Sequence, residues 1–434
     1  MADWSFAVRA LRSRNYRLFF TGQTVSLIGT WMTRIATSWL VYRLTDSPVL
    51  LGIVSFAGQV PAFFLGPLAG VWVDRWDRHR VLVVTQVLSM IQSLALAALA
   101  LPHIITIWEI ILLALGQGLI NAFDMPARQS FVIQMVEKRE DLGNAIALNS
   151  SMVNATRLIG PAIAGVLIAA VGEGYCFLAD GLSYIAVIIS LLAMRITVPQ
   201  ARSQARRIAA ELQEGWRYVA DSVPIRSILL LLALTSLVGM PYTVLMPIFA
   251  SEILHGGAHT LGFLMAGSGV GALISAITLA LRRSILGLGR MIVISAALFG
   301  ASLVGFSLSH TLWLSMLLIP VSGFGMMQQM AASNTILQTI VHDEKRGRVM
   351  AFYSMAFQGM APFGSLLAGA AAARIGAPET LIIGGGLCLI ASLWFSRELP
   401  AIREVVRPIY RELGILPISV GVQQASALQT PPEN

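Results

Sequence analysis

Residues 49–80 read VLLGIVSFAGQVPAFFLGPLAGVWVDRWDRHR, and this stretch decides the fold. Its first 25 residues, 49–73, carry no charged side chain, whereas six of its last seven are Asp, Arg or His. About 20 apolar residues are enough to cross a bilayer as one α-helix. The stretch therefore predicts a membrane-spanning helix that is followed by a charged loop.

The whole chain has the composition of a membrane protein. Of its 434 residues, 56% are hydrophobic and only 12% are charged, whereas a soluble domain carries about 25% charged residues. The two cysteines, Cys176 and Cys388, lie in apolar segments and are expected to be packing residues. The arginine-rich N-terminal segment lacks a small-residue cleavage site, so a cleaved signal peptide is not expected.

Hydropathy predicts an all-α membrane protein with twelve transmembrane helices in two six-helix halves. The spans lie near residues 18–42, 49–73, 81–101, 107–127, 142–170, 175–194, 226–248, 261–281, 291–309, 311–333, 349–373 and 379–396. The predicted organisation is an N-terminal half at 1–194, a cytoplasmic linker at 195–225, a C-terminal half at 226–396 and a cytoplasmic, partly disordered tail at 397–434.

The basic side chains predict the orientation of these spans. Of the 30 Lys and Arg residues, 26 fall in the terminal segments or in loops on the same side as the termini. Basic residues accumulate on the cytoplasmic side of a membrane. Both termini are therefore predicted to be cytoplasmic, with the chain in a bacterial cytoplasmic (inner) membrane. The net charge of +8 then reflects topology rather than nucleic-acid binding.

The two halves resemble each other in sequence. An offset of 204 places residues 134–165 on residues 338–369 with eight identities, which include the pairs Gly160/Gly364 and Gly165/Gly369. An offset of 210 pairs Gly52 with Gly262 and Arg80 with Arg290. Two parallel six-span repeats are an arrangement that secondary transporters use.

The charged loop resembles the signature loop between the second and third spans of the major facilitator superfamily. The matching residues are Gly70, Asp74, Arg75, Arg78 and Arg80. RLIGPAIAG in span 5 is similar to the antiporter-type motif of that superfamily, with Gly160, Pro161 and Gly165. VSLIGTWMTRIATSWLVYRLTDSPVLLG and FDMPARQSFVIQMV resemble the branch that contains enterobactin exporters and macrolide-efflux-like proteins. The resemblance implies alternating access, with spans 1, 4, 7 and 10 around a central cavity.

The same resemblance implies that the loop is a conformational gate, which ties span 2 to span 11 and to the end of span 4. At that end Asp124 and Arg128 share one helix face, and Arg128 is the expected partner of Asp74. The alternative is a loop that only sets orientation, with surface ion pairs that contribute little. Asp77 departs from the superfamily, which usually has glycine there, and a local pair with Arg78 or Arg80 is expected.

Polar residues inside spans are candidates for the cavity or for proton coupling, because charge in the bilayer is costly and usually functional. The candidates are Gln23, Thr30, Arg34, Gln117, Asn121, Arg157, Asp180, Tyr242, Met327 and Gln328. For the arginines the alternatives are a snorkelling cation and a polar contact between helices, and for the methionine it is core filling. Asp180, Glu109 and Asp124 are the candidate proton carriers, with Asp124 disfavoured by its neighbour Arg128.

The predicted function is proton-coupled efflux of a bulky amphipathic small molecule, siderophore-like or drug-like. Uptake, or movement of a lysophospholipid, by the same fold is the first alternative. A membrane-embedded acyltransferase is the second, but the sequence has no nucleophile–base pattern for it. The chain is expected to act as a monomer without enzymatic activity, cofactor, metal or nucleic acid. Its expected partners are the lipid bilayer, a small-molecule substrate and protons.

Overall fold

The computed structural model describes residues 8–195, 208–282 and 284–412, in which every regular element is a helix. Within these ranges the side chains of Pro67, Val71, Asp74, Arg139, residues 208–212, Asp343 and Glu412 are not described. The all-α prediction is confirmed for this part of the chain. Much of the predicted linker, residues 196–207, and most of the predicted tail, residues 413–434, lie outside the described residues.

The N-terminal half contains six helices. They are α1 (Arg14–Thr45), α2 (Pro48–Arg75), α3 (Arg78–Ala100), α4 (Ile107–Met135), α5 (Leu142–Val171) and α6 (Glu173–Leu192). A linker helix, Ile208–Asp221, follows. The C-terminal half contains α7 (Val223–Ile253), α8 (Ala258–Ala280), α9 (Leu288–Ser307), α10 (Leu312–Ile340), α11 (residues 343–375) and α12 (Ala377–Glu412).

Nine helices in the described part of the chain are long and apolar enough to cross a membrane, namely α2 to α9 and α12. The remaining three predicted spans coincide with α1, α10 and α11. Polar side chains such as Gln23 and Arg34 lower the hydropathy of α1, and α11 begins with the charged run at residues 343–348. The count of twelve spans therefore stays a prediction.

Two helix pairs, α5 with α8 and α2 with α11, join the halves. In the first pair, a methyl group added at Gly262 would lie 2.6 Å from the Cα of Gly165. In the second, a methyl group added at Gly369 would lie 3.1 Å from the Cα of Gly52. The sequence offsets of 204 and 210 relate Gly165 to Gly369 and Gly52 to Gly262. The repeat thus makes the same close backbone contact twice, once in each helix pair.

These four glycines define the two ends of the bundle. They lie near the starts of α2 and α8 and toward the ends of α5 and α11, which we call the glycine-contact end. The opposite end carries the α2–α3 loop, the start of α1 and the linker helix, and we call it the arginine-rich end.

The linker helix packs at the arginine-rich end against the start of α11. Glu214 forms ion pairs with Lys345 and, at 2.7 Å, with Arg348, and the ring of Trp216 lies 6.0 Å from that of Phe352. The last helix, α12, continues to Glu412 and so extends into the segment that the sequence assigns to the tail.

Candidate transport site and gate

Asp77 caps the first turn of α3 in the loop between α2 and α3. Its carboxylate accepts hydrogen bonds from the backbone N–H groups of His79, at 3.0 Å, and Arg80, at 3.4 Å. The same carboxylate lies 3.6 Å from the guanidinium of Arg80. Its φ angle of −68° is one that any residue adopts, so the turn does not need glycine at this position. Asp77 stabilises the start of α3 because it accepts hydrogen bonds from backbone N–H groups that have no partner within the helix.

One face of α2 is open near the end that precedes this loop, although Ala69 and Val73 on the other side are buried. A methyl group added at Gly66 or at Gly70 would meet no atom within 4 Å. Trp72 and Trp76 are 42% and 54% exposed, and both rings stack on Phe123 of α4. At the glycine-contact end of the same helix, by contrast, Gly52 is in contact with α11. Helix α2 therefore contacts α11 from Gly52 as far as Phe63, whose ring lies 5.4 Å from that of Phe363, and its face at Gly66 and Gly70 is open beyond this point.

Two of the predicted gate residues, Arg75 and Arg78, lie on either side of the α2–α3 loop. Arg75 is exposed at the end of α2, and Arg78 begins α3. The side chain of Asp74 lies outside the described part of the structure, so its pairing with Arg128 stays a prediction.

Asp124 lies at the centre of a polar contact between α3 and α4. Thr85 and Gln86 donate hydrogen bonds to its Oδ1 at 2.9 and 2.8 Å, and Arg128 donates to its Oδ2. Asp124 as a whole is only 5% exposed. Both of its oxygens have donors and its charge has a cationic partner, so this group is satisfied as a carboxylate.

A polar face on α3 extends this contact along the N-terminal half, and the sequence analysis missed it. Ser89 accepts a hydrogen bond from Gln117 at 3.3 Å, and Gln117 also donates to Asn121 at 3.1 Å. The spacing of the polar residues on α3 is the signal that identifies this face, because steps of one, three and four residues stay on one side of a helix. The residues of the face are Thr85, Gln86, Ser89, Gln92 and Ser93.

Asp180 lies between α1, α3 and α6 and is 1% exposed. Thr33 and Ser93 donate hydrogen bonds to its Oδ2 at 2.8 and 2.7 Å. Its Oδ1 is buried without a hydrogen-bond partner, and among the described residues no cationic side chain forms an ion pair with it. Glu109 differs, since it is only partly buried and accepts hydrogen bonds from Thr106 in a capping box at the start of α4.

Two arginines lie over one tryptophan near the middle of the N-terminal half. The guanidinium carbons of Arg34 on α1 and Arg157 on α5 are 5.2 and 5.8 Å from the ring centroid of Trp31. Arg34 is exposed, although it lies eleven residues before the end of α1. At 1.5 Å per residue this is about 16 Å from the helix end.

The antiporter-like motif packs α5 against two neighbours. A Cβ atom at Gly160 would collide with the Cβ of Trp31, so glycine allows α5 to approach α1. Gly165 contacts Gly262 of α8. A Cβ atom added at Gly262 would also lie close to the carbonyl oxygen of Pro161. Here all three motif residues form close helix contacts.

The other polar candidates divide between accessible and buried positions. On α1, Gln23 is buried, whereas Thr30 is exposed and lies 3.4 Å from the hydroxyl of Tyr184. In the C-terminal half, Tyr242 is fully buried with its hydroxyl 2.6 Å from that of Ser268.

Gln328 is also fully buried, and it accepts a hydrogen bond from Ser275 at 2.6 Å. Met327, next to it on α10, is half-buried. In this conformation Tyr242 and Gln328 therefore contact neighbouring helices rather than open space.

Comparison with known proteins identifies the family. The model of the family described as transmembrane secretion effector matches residues 5–409. The chain belongs to this family of major facilitator transporters. The staphyloferrin A transporter of Staphylococcus aureus is 28% identical over 87% of this chain and 95% of its own length. Macrolide efflux protein A of Streptococcus pyogenes is 23% identical over the same shares, 87% and 95%.

The fold of the transporter agrees with this family. A crystal structure of the peptide transporter POT matches with a TM-score of 0.73 over 91% of this chain and 96% of the other, at 10% sequence identity. Together with the apolar helices, the family makes this chain a multi-pass membrane transporter and not an enzyme.

Proposed function

We propose that the protein exports a bulky amphipathic small molecule across the cytoplasmic membrane by alternating access, driven by proton entry. The observation that carries the proposal is the asymmetry of α2. Gly52 packs against α11, whereas Gly66 and Gly70 meet no atom within 4 Å of an added methyl group. A transporter in which one end is closed and the other open has this pattern, since its halves rock about a central site.

The positive-inside distribution of Lys and Arg supports a cytoplasmic arginine-rich end, and hence an inward-open conformation. Both termini are then cytoplasmic, and we take the monomer as the transporting unit. In the opposite conformation the open faces at Gly66 and Gly70 approach the start of α11.

We infer that Asp180 is the proton carrier. Its Oδ1 is buried without a partner, whereas the oxygens of Asp124 are occupied by Thr85, Gln86 and Arg128. A nearby cation stabilises the ionised form of a carboxyl group, so a buried carboxyl group without a cationic partner is better suited to take up a proton. The hydrogen bond from Thr33 links Asp180 to α1, the helix that also carries Arg34.

Relatives named as a staphyloferrin A transporter and a macrolide efflux protein support small-molecule cargo for this chain. Half-buried methionines on α10, Met327 and Met330, support a soft and adaptable apolar surface for it. Uptake, or movement of a lysophospholipid, by the same fold remains the competing function.

The test uses proteoliposomes with a pH gradient imposed in either direction. The flux of each candidate solute is compared with its flux in protein-free liposomes. We expect the substrate to move in the direction opposite to the protons. Flux that does not depend on the pH gradient contradicts proton coupling. Movement only in the same direction as protons contradicts efflux, and exchange of lysophospholipid between leaflets favours the competing function.

A further inference from the structure

We propose that Arg34 and Arg157, with Trp31 between them, bind a carboxylate of the transported molecule, so that the substrate is an organic anion with an apolar body. This substrate class rests on the proposed transport function, but the anion site itself can be tested without any flux.

The positive charge of this site is unbalanced. Within the described residues, no acidic side chain forms an ion pair with Arg34 or Arg157. A guanidinium group stays protonated in proteins, so neither residue can discard its charge. Two permanent cations deep in a spanning bundle are costly unless an anion or water reaches them. The exposure of Arg34 gives such an anion access to the site.

The two arginine side chains converge on one aromatic ring. Each guanidinium carbon is within 6 Å of the same ring, at 5.2 and 5.8 Å from its centroid, and so the two groups are at most about 11 Å apart. The face of Trp31 holds the planar groups by cation–π attraction without using their N–H donors. These donors remain available for a carboxylate, which arginine binds through two parallel hydrogen bonds.

The internal repeat lacks these arginines in the C-terminal half. The offset of 210 places Val244 at the position of Arg34, and the offset of 204 places Ala361 at that of Arg157. Gly364, the counterpart of Gly160, still packs closely against Leu237 and Pro241 of α7. The C-terminal half therefore makes the equivalent helix contact without arginines. The cation pair is not a requirement of the helix packing, which leaves ligand binding as its role.

The asymmetry also indicates the rest of the ligand. The N-terminal half contributes the cations, whereas α10 of the other half contributes Met327 and Met330. A molecule with a carboxylate at one end and an apolar body at the other satisfies both surfaces.

The test measures binding to the purified full-length protein in detergent. The probes are 2-naphthoate and its neutral counterpart 2-naphthamide, at constant ionic strength, with inorganic phosphate as a further anion. We expect naphthoate to bind at least ten-fold more tightly than naphthamide. Arg34→Gln and Arg157→Gln should each weaken naphthoate about ten-fold or more and leave naphthamide unchanged. Arg374→Gln, an exposed arginine at the far end of α11, is the matched control.

Equal binding of naphthoate and naphthamide, absence of naphthoate binding, or unchanged naphthoate affinity in both glutamine variants overturns the proposal. Phosphate that competes as well as naphthoate overturns the carboxylate assignment. The unfolding temperature without ligand checks that the variants remain folded, and Arg34→Lys, which keeps the charge, should recover part of the affinity. If the protein binds the anion but transports nothing, the export function is refuted and the anion site stands. If it transports only neutral compounds, the anion site is refuted and the export function stands.

Discussion

The contact between α5 and α8 provides a direct test of alternating access through Gly262→Ala. The added methyl group lies 2.6 Å from both the Cα of Gly165 and the carbonyl oxygen of Pro161. Both are backbone atoms of a packed helix, so they cannot turn away as a flexible side chain does. Overpacking of this kind costs about 1–3 kcal/mol. This cost falls on the conformation in which the glycine-contact end is closed.

The expected result is a shift of the conformational equilibrium. A change of about 1–3 kcal/mol alters the ratio of the two conformations about 5- to 150-fold. Since the methyl group penalises the closed glycine-contact end, the arginine-rich end should close more often. Cysteines placed at the repeat-related positions Gln134 and Gln338, near the ends of α4 and α10, carry spin labels for this measurement. The native Cys176 and Cys388 are fully buried and do not compete for the label.

Double electron–electron resonance between these labels gives the distance distribution. We expect the shorter-distance population to grow in Gly262→Ala. Gly116→Ala is the matched control, because a methyl group there would meet no atom within 4 Å. An unchanged distribution, or growth of the longer distances, refutes the conclusion that this glycine contact holds one of the two states.

Four further predictions follow from the polar contacts. Asp77→Ala should lose the cap of α3 and about 0.5–2 kcal/mol of stability, whereas Asp77→Asn should retain most of it, as judged by thermal unfolding in detergent. Arg128→Gln leaves the buried Asp124 without its cation and should destabilise by about 3–5 kcal/mol, and the double variant with Asp124→Asn should restore most of the unfolding temperature. Asp180→Asn should abolish flux driven by a pH gradient while substrate counterflow persists, and gradient-driven flux at the native rate would remove Asp180 as the proton carrier. Asp74→Asn should impair transport with normal expression, and full activity in proteoliposomes would contradict the gate.

The helices were predictable because their signal is local. A long apolar run needs no information about its neighbours to become a helix in a bilayer. The ends were less predictable, since α1 begins at Arg14 and α12 continues to Glu412, where polar turns extend the helix beyond the apolar stretch.

The environment of each candidate residue was predictable only where its partner is close in sequence. The pair of Asp124 and Arg128 follows from a spacing of four on one helix. The donors to Asp180 come from α1 and α3, and the rotation of three packed helices decides that they meet. The same packing buries Tyr242 and Gln328, which the sequence alone placed beside the cavity.

The sequence by itself determined the apolar helices, the charged loop at Gly70–Arg80, the internal repeat and the membership of the chain in a transporter family. These are properties of segments, and hydropathy, spacing and local hydrogen bonding encode them. Only the tertiary structure decided that repeat-related glycines meet at one end of the bundle and that Arg34 and Arg157 share Trp31. Such contacts join residues that are far apart in the sequence, and they depend on how whole helices pack.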